Sequence, residues 1–378
     1  MSNSVHFLHI FPNFAPGGME LRVTRIINGM GPEVRHTILA LLGNYDAREF
    51  IDRGIRVDCP APPAKVDIFR SVREFRTIFG KCEPDLLLTY NWGSIDAVLS
   101  AWIVGVRPIV HHECGFGSEE SERLKTRRVL ARRLLLRRAF AVAVTSRTLR
   151  DISIQRFKLP PDKVRWIRTG VDGERFRPGL SRDWRRQVGV SDGELLFGFL
   201  GGLRPEKNLG LLLRAFAAAR LPNAKLALVG DGAERAELGQ AAREAGIAER
   251  VLFPGRMSDP TVCLAALDVF VLSSCTEQTS NSLLEAMACG LPAVSTDVGD
   301  SRELLGDAGP PVLVPSKDLQ AYTHALTALA CNPEFRQRLG AANRRRCLEQ
   351  YPLERMIREY AALYEAAYHA QPTVPVRS

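Results

Sequence analysis

Two α/β units of similar size, each a parallel sheet covered by helices, are what this sequence predicts. Three observations carry that expectation. Short apolar runs alternate with helical patterns along the chain, the signature of strand–helix–strand units. The alternation breaks once, over residues 170–191, where Arg, Gly, Asp and Pro replace the apolar runs. Finally, 378 residues with 46% hydrophobic content exceed one ordinary core and suit two.

The first unit is expected to hold strands at 5–11, 36–42, 85–89, 108–112, 141–145 and 163–167, with helices between most of them. The linker falls at 178–180, which sets the domains at 1–178 and 179–352. Strands of the second unit are expected at 195–200, 225–229, 251–253, 269–272, 293–296 and 312–314. Helices near 208–220, 232–245, 281–289 and 317–330 separate them, and a last helix at 353–369 is expected to pack back on the first unit.

Composition removes several classes. No stretch of about 18 apolar residues predicts a membrane-spanning helix. Residues 1–10 lack the basic start and long apolar run of a signal peptide and read as a first strand. A cytoplasmic protein is therefore expected, with room for peripheral attachment to the inner face of the membrane. The eight cysteines form no CxxC pair and no zinc-type Cys/His spacing, so reduced, mostly buried thiols are expected. The net charge of +9 suits an anionic partner. No aromatic-rich basic surface accompanies it, so nucleic acid is not expected.

Two strand-to-helix junctions look built for phosphate. The first strand is followed by Ala15-Pro16-Gly17-Gly18-Met19-Glu20. Glycines there let backbone amides approach an anion at a helix N-terminus, although an ordinary turn would use them too. The second unit opens with Gly201-Gly202-Leu203-Arg204-Pro205-Glu206-Lys207-Asn208. A glycine pair with two cations at such a junction makes a diphosphate clamp. Neither junction is G-x-G-x-x-G, and no Walker lysine motif occurs. No Asp-x-Asp pair offers itself to a divalent metal. Fixed cations and helix termini would then have to balance a leaving diphosphate, with no metal required.

The densest segment runs from Asp268 to Pro292. A strand enters a polar loop, a helix begins at Ser280–Asn281, and the helix stops at Gly290. Glu277 precedes the helix, Glu285 lies inside it, and the first helical amides sit between them. Carboxylates flanking a phosphate are where sugar and ribose hydroxyls would lie.

These residues resemble the retaining GT-B glycosyltransferases of family four. Glu277 and Glu285 are similar to that family's E-x7-E motif, followed by Ala-Met-Ala-Cys-Gly-Leu-Pro. The runs Val229 to Arg235, Phe253 to Arg256, Thr296 to Gly299 and Gly170 to Asp172, with Arg175-Phe176, resemble it too. The likeness covers nearly the whole chain and is strongest over 195–305. It implies two Rossmann-like domains whose parallel sheets face across a cleft, and transfer of a sugar from a UDP-sugar or GDP-sugar with retained configuration. It also implies roles. Glu277 would hold the transferred sugar and Glu285 the ribose. The amides of Asn281 and Ser282 would meet the distal phosphate, Lys207 would neutralise the diphosphate, and Gly17 and Gly18 would approach it from the other domain. The acceptor would be a glycan or a lipid-linked saccharide, in cell-surface polysaccharide or glycolipid assembly.

Three departures stand out. The family's turn usually carries arginine where this chain has Gly202, and Arg204 is expected to substitute. The family's acceptor-side histidine aligns with Cys114, so His112, on the same face of its strand, is expected to serve, and His111 to be structural. Gln278-Thr279-Ser280-Asn281 replaces the commoner Gly-Phe-Gly but keeps helix-capping chemistry.

Residues 118–140 interleave Arg123, Lys125, Arg127, Arg128, Arg132, Arg133, Arg137 and Arg138 with leucines at helical spacing. Such a helix either lies on an anionic membrane through 123–138 or turns its leucines into the core. Against the transferase stand a catalytically silent sugar-nucleotide-binding partner and a sugar-nucleotide epimerase of the same architecture. Sugar, nucleobase, acceptor and linkage stay unread.

Overall fold

The computed structural model describes residues 5–63, 68–116, 120, 124–306 and 312–370. The chain divides into two compact units, Met1–Thr169 with Glu354–Ser378, and Gly170–Leu353. Among the described residues the first unit contributes β1 His6–Phe11, β2 Arg35–Ala40, β3 Val57–Asp58, β4 Leu86–Tyr90, β5 Ile109–Glu113, β6 Ala141–Val144 and β7 Val164–Trp166. They pair in the order β3-β2-β1-β4-β5-β6-β7, every pair parallel. β1 and β4 are buried along their whole length, as strands covered by helices on both faces must be.

The second unit repeats the scheme with β8 Leu195–Leu200, β9 Ala224–Val229, β10 Val251–Gly255, β11 Val269–Leu272, β12 Ala293–Thr296 and β13 Leu313–Val314. Their order is β10-β9-β8-β11-β12-β13, again parallel. Phe197, Phe199, Leu212, Phe216, Leu283 and Met287 are in its core.

The unit boundary lies ahead of the expected linker at 178–180. Val171 pairs with Pro352 and exchanges backbone hydrogen bonds with Tyr351 and Leu353, and Phe176 is fully buried in the second core. Those contacts commit the segment after Thr169 to the second unit. The last helix, Leu353–His369, buries Met356, Tyr360, Leu363, Tyr364 and Ala367, and from Glu354 onward it belongs to the first unit.

Among the elements outside the sequence reading are β3 and the helices Pro260–Ala266, Ser301–Leu305 and Pro333–Gln350. The first three are short. The fourth is long, but its buried positions Leu339, Gly340, Asn343 and Cys347 include a glycine and an asparagine, so no apolar stripe announces it.

Candidate active site

In each sheet one pair of neighbouring strands leads its chain away to opposite sides. These are β1 and β4 in the first unit, β8 and β11 in the second. Ligands of open α/β sheets bind beyond the carboxyl ends of strands at such a switch point. The loops after β8 and β11 carry Lys207 and Glu277.

The turn after β8 is anchored by Leu203, which is fully buried. Pro205–Lys207 form one 3-10 turn, and Asn208, at φ +49°, redirects the chain into the helix Leu209–Ala218. The Cys275 amide donates to Glu206 O at 2.8 Å, tying this turn to the loop after β11. Across that tie the Lys207 ammonium donates to Glu277 Oε1, both side chains being largely buried. Ser274 Oγ donates to the same oxygen at 2.8 Å, and Ser273 Oγ to Lys207 O at 2.8 Å.

The loop after β12 packs against the backbone of Glu277 and Gln278. Gly299 has φ +55°, and a Cβ there would lie 2.3 Å from Glu277 O and 2.6 Å from Gln278 O. Only glycine allows that approach. Thr279 Oγ1 donates to Asp300 Oδ2 at 3.1 Å, and the Asp300 amide to Gln278 O at 2.8 Å.

Ser280 caps the helix Asn281–Ala288, accepting from the Leu283 amide at 3.3 Å. Asn281 and Ser282 are the first residues of that helix. Glu285 is 8% exposed. Burial first, and the Glu285 charge next, raise the Cys289 thiol to about 12. The helix Pro333–Gln350 fixes the other end: Asn343 Nδ2 donates to Leu291 O at 2.9 Å, Cys347 Sγ to Leu284 O at 3.4 Å, and Arg344 donates to Ala288 O. A Cβ on Gly340 would lie 2.1 Å from Gly290 O. Sequence reasoning missed this clamp, for which the chain has no local signal.

Arg204 reaches back over Gly202. Its Nε lies 3.1 Å from where a Gly202 Cβ would be and 3.0 Å from Glu206 Oε1, with the side chain 60% exposed. The arginine thus fills the space that the missing side chain leaves.

In the first unit Gly17 and Gly18 open the helix Gly18–Met30. A Cβ on Gly17 would meet Glu20 Oε2 at 2.6 Å. The Glu20 carboxylate therefore folds over the helix start, and burial raises its pKa. Two positions on, Arg22 is buried against the Cys114 thiol and donates to Thr169 Oγ1 at 3.4 Å. Burial pushes the Cys114 thiol up to about 11.

His112 is buried, with Nδ1 on Thr89 O at 3.2 Å and Nε2 on the Tyr364 hydroxyl at 2.8 Å. Burial holds it neutral, its pKa pushed down to about 3. With both nitrogens committed inside the unit, this geometry does not support the expected acceptor-side role. His111 is fully buried on Thr89 Oγ1 at 2.9 Å and serves the core.

The basic segment splits between its two expectations; 117–119 and 121–123, including Arg123, lie outside the described residues. Arg132 is buried, donating to Glu113 Oε2 at 2.7 Å and lying over the Trp92, Phe116 and Phe157 rings. Arg128 pairs with buried Glu120 at 3.2 Å. Leu136 is buried, and Leu124, Val129 and Leu135 pack against the core. The opposite face exposes Arg127, Arg133, Arg137 and Arg138 around Leu130 and Leu134, which are 50% and 70% exposed. Among the described residues no helix is long and apolar enough to cross a membrane.

Paired parallel sheets with functional loops at the switch point define a protein of two Rossmann-like units. Residues 16–175 match Glycosyltransferase Family 4, and residues 181–346 match Glycosyl transferases group 1. The chain belongs to this family and is a glycosyltransferase of the GT-B fold. It is 29% identical to the 2-deoxystreptamine N-acetyl-D-glucosaminyltransferase of Streptomyces fradiae, covering 90% of this chain and 91% of that protein. It is 33% identical to a D-inositol 3-phosphate glycosyltransferase of Saccharomonospora viridis, spanning 57% of this chain and about half, 53%, of that relative. In structure it resembles Anabaena HepE in complex with UDP and glucose, with TM-score 0.83, 20% identity, and coverage of 96% of this chain and 100% of that one.

Proposed function

We propose that this glycosyltransferase moves a sugar from a nucleoside-diphosphate sugar to a glycan or lipid-linked acceptor, with retention and without a metal, in surface polysaccharide or glycolipid assembly. The observation that carries the reading is the largely buried Lys207–Glu277 pair beside the capped start of the helix Asn281–Ala288. The site offers a cation and helix-start amides to the diphosphate and a carboxylate to the sugar hydroxyls. In the reaction the sugar C1–O bond to phosphate breaks, and a bond from C1 to the acceptor oxygen forms on the same face. The acceptor proton passes to the leaving phosphate. Glu285 takes the ribose, and Arg204 adds charge where Gly202 has none. The UDP complexes of Anabaena HepE support a uridine donor.

The exposed Arg127, Leu130, Arg133, Leu134 and Arg137 face supports peripheral attachment to anionic lipid on the cytoplasmic side. Leu134→Glu should then abolish flotation with phosphatidylglycerol vesicles; unchanged flotation rejects this attachment. A second acceptor reading, a small polyhydroxylated molecule, is supported by the relative named for 2-deoxystreptamine.

The test of the donor reading is a thermal-shift screen with UDP, GDP, ADP and their common sugars, beside a Glu285→Ala control. A ligand at 100 times its Kd adds about 2.7 kcal/mol. One nucleotide family should stabilise the wild type and not the control. No shift with any of them would favour the silent partner instead.

A further inference from the structure

We propose that Ser274 is a positioning residue for the transferred sugar, acting through Glu277. The inference rests on the donor-sugar reading of Glu277 given above. Ser274 is fully buried and its hydroxyl donates to Glu277 Oε1 at 2.8 Å. The Lys207 ammonium donates to that same oxygen. Oε1 thus accepts from two donors, as many as its two lone pairs can take. Oε2 carries no hydrogen bond among the described residues. The carboxylate is therefore divided: one oxygen is held by the protein, and the other is left to accept from ligand hydroxyls.

Lysine alone would hold the carboxylate poorly, because its ammonium ends a flexible four-carbon stem. The serine is short and fixed at its backbone: Thr296 Oγ1, from the end of β12, donates to Ser274 O at 2.7 Å. Its neighbour Ser273 holds the Lys207 backbone at 2.8 Å. One dipeptide after β11 thus sets both halves of the ion pair, and Ser274 decides the plane in which Oε2 is presented. Without its hydroxyl the carboxylate swings about its last torsion, and affinity for the sugar falls while that for the nucleotide does not.

Calorimetry with UDP-glucose against UDP, UDP-N-acetylglucosamine against UDP, GDP-mannose against GDP and ADP-glucose against ADP measures the affinity that the sugar adds. The pair with the largest wild-type increment is used. Ser274→Ala should cut that increment about tenfold, the loss of one hydrogen bond to a charged group. Affinity for the bare nucleotide and the melting temperature should stay. In the Glu277→Gln background, Ser274→Ala should cost nothing further, since both act on one oxygen. An unchanged increment in Ser274→Ala, an equal loss in both backgrounds, or a parallel loss of nucleotide binding and melting temperature each overturns the positioning role. Glu277→Gln without effect, or no increment in the wild type, overturns the donor-sugar reading itself and this inference with it.

Discussion

Acidification from pH 7.5 to 5 should weaken the first unit well before carboxylates titrate. A buried chain of hydrogen bonds crosses its sheet. His36 Nδ1 meets His9 Nε2 at 2.9 Å, His9 Nδ1 meets the Tyr90 hydroxyl at 2.9 Å, Tyr90 bonds to Tyr364, and Tyr364 meets His112 Nε2 at 2.8 Å. The far end is Thr89 O, which can only accept, so His112 Nδ1 carries a proton. That fixes the direction of every bond: Tyr364 donates to His112, Tyr90 to Tyr364, His9 to Tyr90 and His36 to His9. The last lone pair, His36 Nε2, has no partner. Burial is the first cause that holds all three histidines neutral, with His36 pushed down to about 4, His112 to about 3, and His9 well below its usual value.

The sign follows from proton counting. Below about pH 6.5 the unfolded chain binds protons that the folded one refuses, so stability is present above that pH and is lost on descent. Each pH unit costs about 1 kcal/mol per histidine. From pH 7.5 to 5, His36 and His112 lose on the order of 2 kcal/mol each, and His9 adds in the same direction. Urea unfolding in a Trp184→Phe background leaves Trp92, Trp102 and Trp166 as reporters, all in the first unit. The midpoint should fall across this range, and His36→Asn should flatten the fall while keeping a donor for His9. A midpoint that does not move between pH 7.5 and 5, or an undiminished slope in His36→Asn, would refute the account.

Other perturbations test the second unit. Gly340→Ala places a methyl where only 2.1 Å separates it from Gly290 O, and should cost about 1–3 kcal/mol of stability in urea titrations followed by Trp184 fluorescence. Arg204→Ala should weaken nucleoside-diphosphate binding about tenfold, the scale of one charge-assisted contact. Adding Gly202→Arg to it should restore affinity by calorimetry, and failure of that swap would remove Arg204 from the site. Sugar transfer, followed by mass spectrometry of the product, should continue in EDTA; arrest reversed by a divalent cation would reject the metal-free reading.

Most strand positions were legible because the inner strands of each sheet are buried on both faces, and such burial writes itself as an apolar run, from His6–Phe11 to Ala293–Thr296. The family was legible for a related reason: the segment from Asp268 to Pro292 packs loop, cap and helix into contiguous residues, so its chemistry is local. What the sequence determined by itself was therefore the fold class, the order of the elements and the residues around Glu277 and Glu285. Only the tertiary structure decided which polar groups face inward. Arg132 reads as one more cation of a basic helix until Glu113 and three aromatic rings enclose it. His112 is expected at the acceptor from the sequence, until a tyrosine far along the chain takes its second nitrogen. Gly340 and Asn343 carry no signal in the sequence and gain a role only where they meet the end of the helix that carries Glu285. The reason is physical: a polar group's role depends on the partner that replaces water, and for these residues that partner lies in a different element of the fold.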